Sequence, residues 1–225
     1  MSTEIYSGYY YENLFGYEVA MEENIRLMDL FLLGGPLMWV LAVFSLVTVA
    51  VILEKAVFFL TIDLRTSDLA AEVSAELKKG DRASAGKILE RQSGKKLCAA
   101  VYRTIIDDPD SLEIAEAAIS GSGIMVERHL GILSAVSSIA PVTGFLGTVT
   151  GMIRTFMDIA RADDISARLA ASGIFEALIT TAFGLIIAVF AVVFYHIYAA
   201  MADKYIVSLE NSCKIILAEC HRQNI

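Results

Sequence analysis

The chain has 225 residues, of which 56% are hydrophobic, and a formal net charge of −8 at pH 7. With a positive mean hydropathy, that composition excludes an ordinary soluble globule and places the chain among membrane proteins. The acids are spread along the sequence, so the charge points to no particular partner, and no nucleic acid is expected.

Three runs, Leu30 to Leu53, Leu130 to Ile153 and Ala177 to Ala202, contain no Asp, Glu, Lys or Arg. Each is long enough to cross about 30 Å of hydrocarbon as a helix. The expected fold is an all-α membrane protein, three transmembrane helices extended by a cytoplasmic helical domain. The expected divisions are an outer N-terminal segment 1–29, a first span 30–60, a helical domain 61–128, a second span 129–158, an outer hairpin 159–172, a third span 173–201 and a C-terminal helix 202–225. Eleven Lys and Arg lie between Lys55 and Arg128, whereas Arg26 alone precedes the first span. By the positive-inside rule the N-terminus is outside, and the middle domain and the tail are cytoplasmic.

Residues 1–29 alternate tyrosines with acids and do not resemble a short basic leader with a small-residue cleavage site, so the first span is expected to stay attached. "GGPLMWV" opens that span, with Pro36 suited to a first turn and Trp39 to the headgroup level. Glu54 and Lys55 mark its inner end. From Ile62 to Arg128 the apolar residues recur at helical spacing, with Asp68, Asp81 and Ser111 as expected starts and Gly80 and Gly94 as expected stops. No nucleophile and base pair and no phosphate loop occur there, so no enzyme is expected. Cys98, Cys213 and Cys220 have no zinc spacing and are read as packing residues; no metal and no cofactor are expected.

The second span carries "SAVSSIAPVTGFLGTVTGM". Gly144, Gly147 and Gly151 are read as helix-packing positions, because small residues let helix backbones approach closely in lipid. Pro141 leaves a carbonyl one turn back without its N–H, and Thr143, Ser137 and Ser138 are near enough to satisfy it. The third span carries "GIFEALITTAFG", in which Gly184 marks the helix midpoint and a further packing position. Glu176 lies roughly 12 Å outward of that midpoint, at 1.5 Å per residue. Insertion scales put an acid at mid-membrane at roughly 2.5 to 3.5 kcal/mol, so an acid in the span calls for a use. Thr148 of the second span falls at nearly the same depth, just above Thr180 and Thr181. Polar groups of two antiparallel helices thus converge at one level, as a hydrated pathway open to the outside would require. Arg154 and Asp158, one turn apart, are expected to pair with each other.

"APVTGFLGTVTGM" (Ala140 to Met152) and "EALITTAFGLIIA" (Glu176 to Ala188) resemble the two signature helices of the MotA/TolQ/ExbB proton-channel family, and the three-span frame is similar to its ExbB/TolQ branch. The resemblance implies a bacterial inner-membrane complex in which five copies surround the helices of two ExbD- or TolR-like single-span partners. Proton flow through it energises a TonB- or TolA-like protein. It further implies that Thr148, Glu176 and Thr181 line the channel; Thr180 joins them only by adjacency. Val189 and Phe190 stand where the family has a proline. The rival expectation is a non-conducting scaffold whose cytoplasmic helices recruit other proteins.

Overall fold

The computed structural model describes residues 31, 34–61, 64–94, 96–109, 112–161 and 167–223. The expected outer segment 1–29, Ser111 as a helix start, and residues 162–166 of the expected hairpin lie outside the described residues. The elements are all helices: α1 (Leu37–Thr61), α2 (Thr66–Lys78), α3 (Arg82–Gln92), α4 (Cys98–Asp107), α5 (Leu112–Glu127), α6 (Leu130–Arg161) and α7 (Ala167–Gln223). α1, α6 and α7 each carry a stretch long and apolar enough to cross a membrane. The chain is therefore an all-α, multi-pass membrane protein with an additional bundle of shorter helices. Large apolar residues on these helices, among them Leu46, Phe145 and Phe190, are left uncovered by the chain itself.

Two helix boundaries differ from expectation. The third span and the C-terminal helix are one helix of 57 residues, because no glycine or proline follows Gly184 and a helix continues until something stops it. α6 runs to Arg161, so much of the expected hairpin 159–172 is helical.

The chain divides into two compact units, Met1–Val43 with Ala140–Ile186, and Phe44–Ile139 with Ile187–Ile225. The second unit holds the larger core. In α2 the buried positions are Thr66, Leu69, Ala70, Val73, Ser74 and Leu77, the 3-and-4 spacing that puts apolar groups on one helix face. Leu69, Ala70, Val73 and Leu77 pack with Leu89 of α3, Tyr102 and Ile105 of α4, and Leu209 and Ile216 of α7. Burying each such Leu or Ile contributes roughly 1.5 to 3 kcal/mol. Gly80, at φ +81°, turns the chain out of α2, and the Asp81 carboxylate accepts from the Ser84 amide at 2.9 Å to cap α3. α2 starts two residues before Asp68, which lies in its first turn where an acid favours the helix dipole. Inside the core the Tyr102 hydroxyl donates to the Thr66 carbonyl at 3.0 Å, and Tyr205 bonds Ser122 at 2.9 Å. All three cysteines are buried.

α5 and α6 are separated by a break at His129, which has φ +66°, a conformation few residues other than glycine adopt. Two adjacent charges of α1, Glu54 and Lys55, hold this break. Glu54 bonds His129 Nδ1 at 2.9 Å. Lys55, only 2% exposed, donates to the Val126 carbonyl at 2.8 Å and lies 5.0 Å from the centre of the Phe58 ring. A buried ammonium is tolerated where a carbonyl and an aromatic face replace water.

Candidate functional site

The first unit is built on a close antiparallel seam between α6 and α7. A side chain at Gly151 would meet Ala177, one at Gly147 would meet Thr180, one at Gly144 would meet the Thr180 and Thr181 backbone, and one at Gly184 would meet the Ala140 carbonyl. As the α6 number falls the α7 number rises, as antiparallel helices require. Backbone nearly touches backbone, which is what small residues permit in lipid. Pro141 lies within α6 at the Ala140 end of this seam. The hydroxyls of Ser137 and Ser138 do not take up the role expected for them: both donate to the Ser134 carbonyl, at 2.7 and 3.3 Å, one turn short of the carbonyl that Pro141 leaves bare. A short hydroxyl bends back most readily to a carbonyl three or four residues behind it.

Close approach brings Thr148 and Thr181 together. Their hydroxyls are hydrogen-bonded to each other; Thr181 also donates to the Gly144 carbonyl at 2.9 Å, and Thr148 lies 3.3 Å from the Ala177 carbonyl. A hydroxyl has one proton to give. With that of Thr181 committed to Gly144, its oxygen accepts from Thr148, and Thr148 keeps accepting capacity on a partly exposed side chain.

Thr180, expected beside these two, is placed differently. It is 1% exposed, its methyl abuts Gly147, and its hydroxyl donates to the Gly34 carbonyl at 2.9 Å. Position 180 is rotated about 100° from position 181 on a helix of 3.6 residues per turn, so the two threonines serve different faces. In this arrangement Thr180 is packed between α6 and the turn ahead of α1.

Glu176 lies one turn before Thr180. Its carboxylate sits against Gly35, at a place where any side chain on residue 35 would collide with it. The Arg154 guanidinium reaches the same carboxylate oxygen at 4.0 Å, so Arg154 of α6 faces Glu176 across the seam rather than Asp158 along its own helix. Both are partly open, with side chains 59% and 37% exposed. Gly34, Gly35 and Arg154 are the site residues that sequence reasoning missed. A signal for the first two existed: Gly35 adopts φ +71° directly before Pro36, where other residues are held to extended backbone.

Glu176, Thr148 and Thr181 thus lie on one stretch of two helices, with a carboxyl at one end and a hydroxyl pair further in. Such a set can take up, hold and pass a proton through water. The sequence profile described as the MotA/TolQ/ExbB proton channel family matches residues 89–211, a span that includes α6 and the Glu176 to Thr181 stretch of α7. The chain belongs to this family. Membership in MotA/TolQ/ExbB makes the protein a channel component rather than an enzyme. Similarity extends over relatives of both names within the ExbB/TolQ branch. The biopolymer transport protein ExbB of Salmonella typhimurium is 31% identical over 178 residues, covering 72% of this chain and 70% of the relative. The ExbB-like 1 protein of Synechocystis is 29% identical over 210 residues, covering 88% of this chain and 82% of its own. The Tol-Pal system protein TolQ of Pseudomonas aeruginosa is 36% identical over 104 residues, 44% of this chain and 45% of the relative.

Proposed function

We propose that this protein is a proton-conducting stator subunit of a bacterial inner membrane, with its N-terminus in the periplasm and its helical domain and C-terminus in the cytoplasm. It works as a homo-oligomer, a pentamer by its likeness to the family, around an ExbD- or TolR-like single-span partner. Protons driven inward across the membrane do mechanical work on a TonB- or TolA-like protein, with an ExbB-like import role favoured over a TolQ-like one. At a membrane potential on the order of 150 mV each proton carries roughly 3.5 kcal/mol, enough to bias one conformational step.

The observation that carries this reading is the Glu176 carboxyl, partly open and seated against the Gly35 backbone, on the same helix as a hydroxyl bonded to Thr148. In this reading Glu176 exchanges protons with the outside and Thr148 and Thr181 order the water that leads inward. Thr180, with Gly144, Gly147, Gly151 and Gly184, keeps the two helices at the distance this requires. The inner halves of the second and third spans offer no second charged group, so a titratable group of the partner completes the route.

The test is proton uptake by vesicles holding the full chain and its single-span partner. Glu176→Gln is expected to assemble normally and to lower flux by at least about ten-fold. Undiminished flux from this variant would leave the scaffold reading, in which the seam of small residues only assembles helices.

A further inference from the structure

Gly35 stands just before α1, in the left-handed region, with its α-carbon turned to the Glu176 carboxylate. The residue beside it is tied to the same helix: the Gly34 carbonyl accepts from Thr180, one turn beyond Glu176. Two successive residues ahead of α1 therefore meet two successive turns of α7. One makes an ordinary hydrogen bond, and the other offers bare backbone where the carboxylate needs space. On the remaining side Arg154 of α6 reaches the same carboxylate oxygen.

We infer that Gly35 is a positioning residue for Glu176. The absent side chain forms the floor of a seat that keeps the carboxylate turned into the protein beside Arg154 instead of out along α7. The assignment rests on the reading of Glu176 as the proton-exchanging group only for its functional meaning; the seat itself is a matter of geometry. Alanine at 35 puts a methyl group into the carboxylate oxygen. The carboxylate can yield, since it ends a flexible side chain, and rotation about its own bonds takes it out of the seat.

Alanine at this φ also strains the backbone, and the two effects need separating. Shortening Glu176 to Asp withdraws the carboxylate by about 1.5 Å, one carbon–carbon bond, which relieves the collision and leaves the strain untouched. Gly80→Ala supplies the strain alone, because Gly80 has φ +81° with nothing within 4 Å of an added Cβ.

The experiment is the rate at which a membrane-permeant carbodiimide modifies residue 176 in the full-length protein in membranes, read by mass spectrometry. Gly35→Ala is expected to change the rate at Glu176 by at least about three-fold and to have no effect in the Glu176→Asp background, as a pairwise contact requires. Gly80→Ala is expected to leave residue 176 unchanged. Should Gly35→Ala fail to accumulate, Gly35→Asn takes its place, since asparagine tolerates the left-handed region. An unchanged rate at Glu176, or an equal change in both backgrounds, overturns the assignment. Proton flux is scored separately: if Glu176→Gln still conducts while Gly35→Ala alters labelling, the proposed function fails and the seat stands.

Discussion

The γ-methyl of Thr180 occupies the place where a side chain on Gly147 would begin, while its hydroxyl, on the other branch of the same carbon, donates to the Gly34 carbonyl. One β-branched residue thus sets the spacing of α6 from α7 and fastens the turn ahead of α1. Serine could fasten the turn and valine could set the spacing; threonine alone does both.

From this follows a reciprocal size test. Gly147→Ala is expected to destabilise the protein in detergent by about 1 to 3 kcal/mol through overpacking. Thr180→Ser removes the methyl and keeps the hydroxyl, so Gly147→Ala with Thr180→Ser is expected to melt closer to wild type than Gly147→Ala alone. Thermal melts of the three variants decide it; a wild-type melting temperature for Gly147→Ala would show that α6 has room to move.

The hydroxyl pair separates stability from conduction. Thr148→Val and Thr181→Val are each expected to cost about 0.5 to 1.5 kcal/mol, because each leaves one group of the pair without its partner. The double variant is expected to cost less than the sum, since neither hydroxyl then remains to be satisfied. If the pair orders water for protons, the double variant is folded and poorly conducting. A folded double variant with full flux would move the route away from Thr148 and Thr181.

Lys55 gives opposite outcomes for two substitutions. Replacing the buried ammonium by a thioether of similar length removes its desolvation along with its hydrogen bond, and Lys55→Met is expected to change stability by less than about 1 kcal/mol. Lys55→Glu sets a carboxylate against the Val126 carbonyl, which cannot donate, and is expected to cost about 3 kcal/mol or more. Denaturation of the full-length protein in detergent measures both, and equal losses would show that the site responds to size rather than to charge.

In the second unit burial pushes the Cys213 thiol up to about 12; the Tyr205 phenol is likewise raised by burial to about 12, a rise that its bond to Ser122 opposes. Both groups keep their protons longer folded than unfolded, so the stabilisation they contribute is whole below pH 9. It falls as pH rises toward 12, by at most about 1.4 kcal/mol per group and pH unit. Melting temperatures at pH 7 and pH 10.5 should differ accordingly, and Cys213→Ala should reduce the difference. Alkylation of Cys213 in the folded protein should stay slow at pH 9.

Much of this architecture is legible in the chain because membrane spans announce themselves by length and lack of charge, and because the two glycine- and threonine-bearing motifs lie on the helices that form the seam. Glu176, Thr148 and Thr181 stand out in the sequence as polar groups at one depth, and the structure brings the two threonine hydroxyls together. Thr180 was drawn in with them by adjacency, although neighbours on a helix face different ways. Arg154 was matched to Asp158 because local spacing suggests partners along one helix, whereas its contact is made across two. Gly35 was missed for a further reason: its place before Pro36 hints at its backbone angle, but its part depends on a carboxylate 141 positions later, which nothing in the residues around it encodes. The length of α7 is legible in the absence of glycine and proline after Gly184, while the charges after Ala202 mark a change of surroundings and not a helix end.

Lys55 and the Val126 carbonyl are 71 residues apart, which bears on how the protein is made. When the first span leaves the ribosome its future acceptor has not been synthesised, and a bare ammonium belongs in water. Until α5 has been made, water is the partner available to this ammonium. The bond between α1 and the end of α5 therefore closes only after more than half of the chain exists.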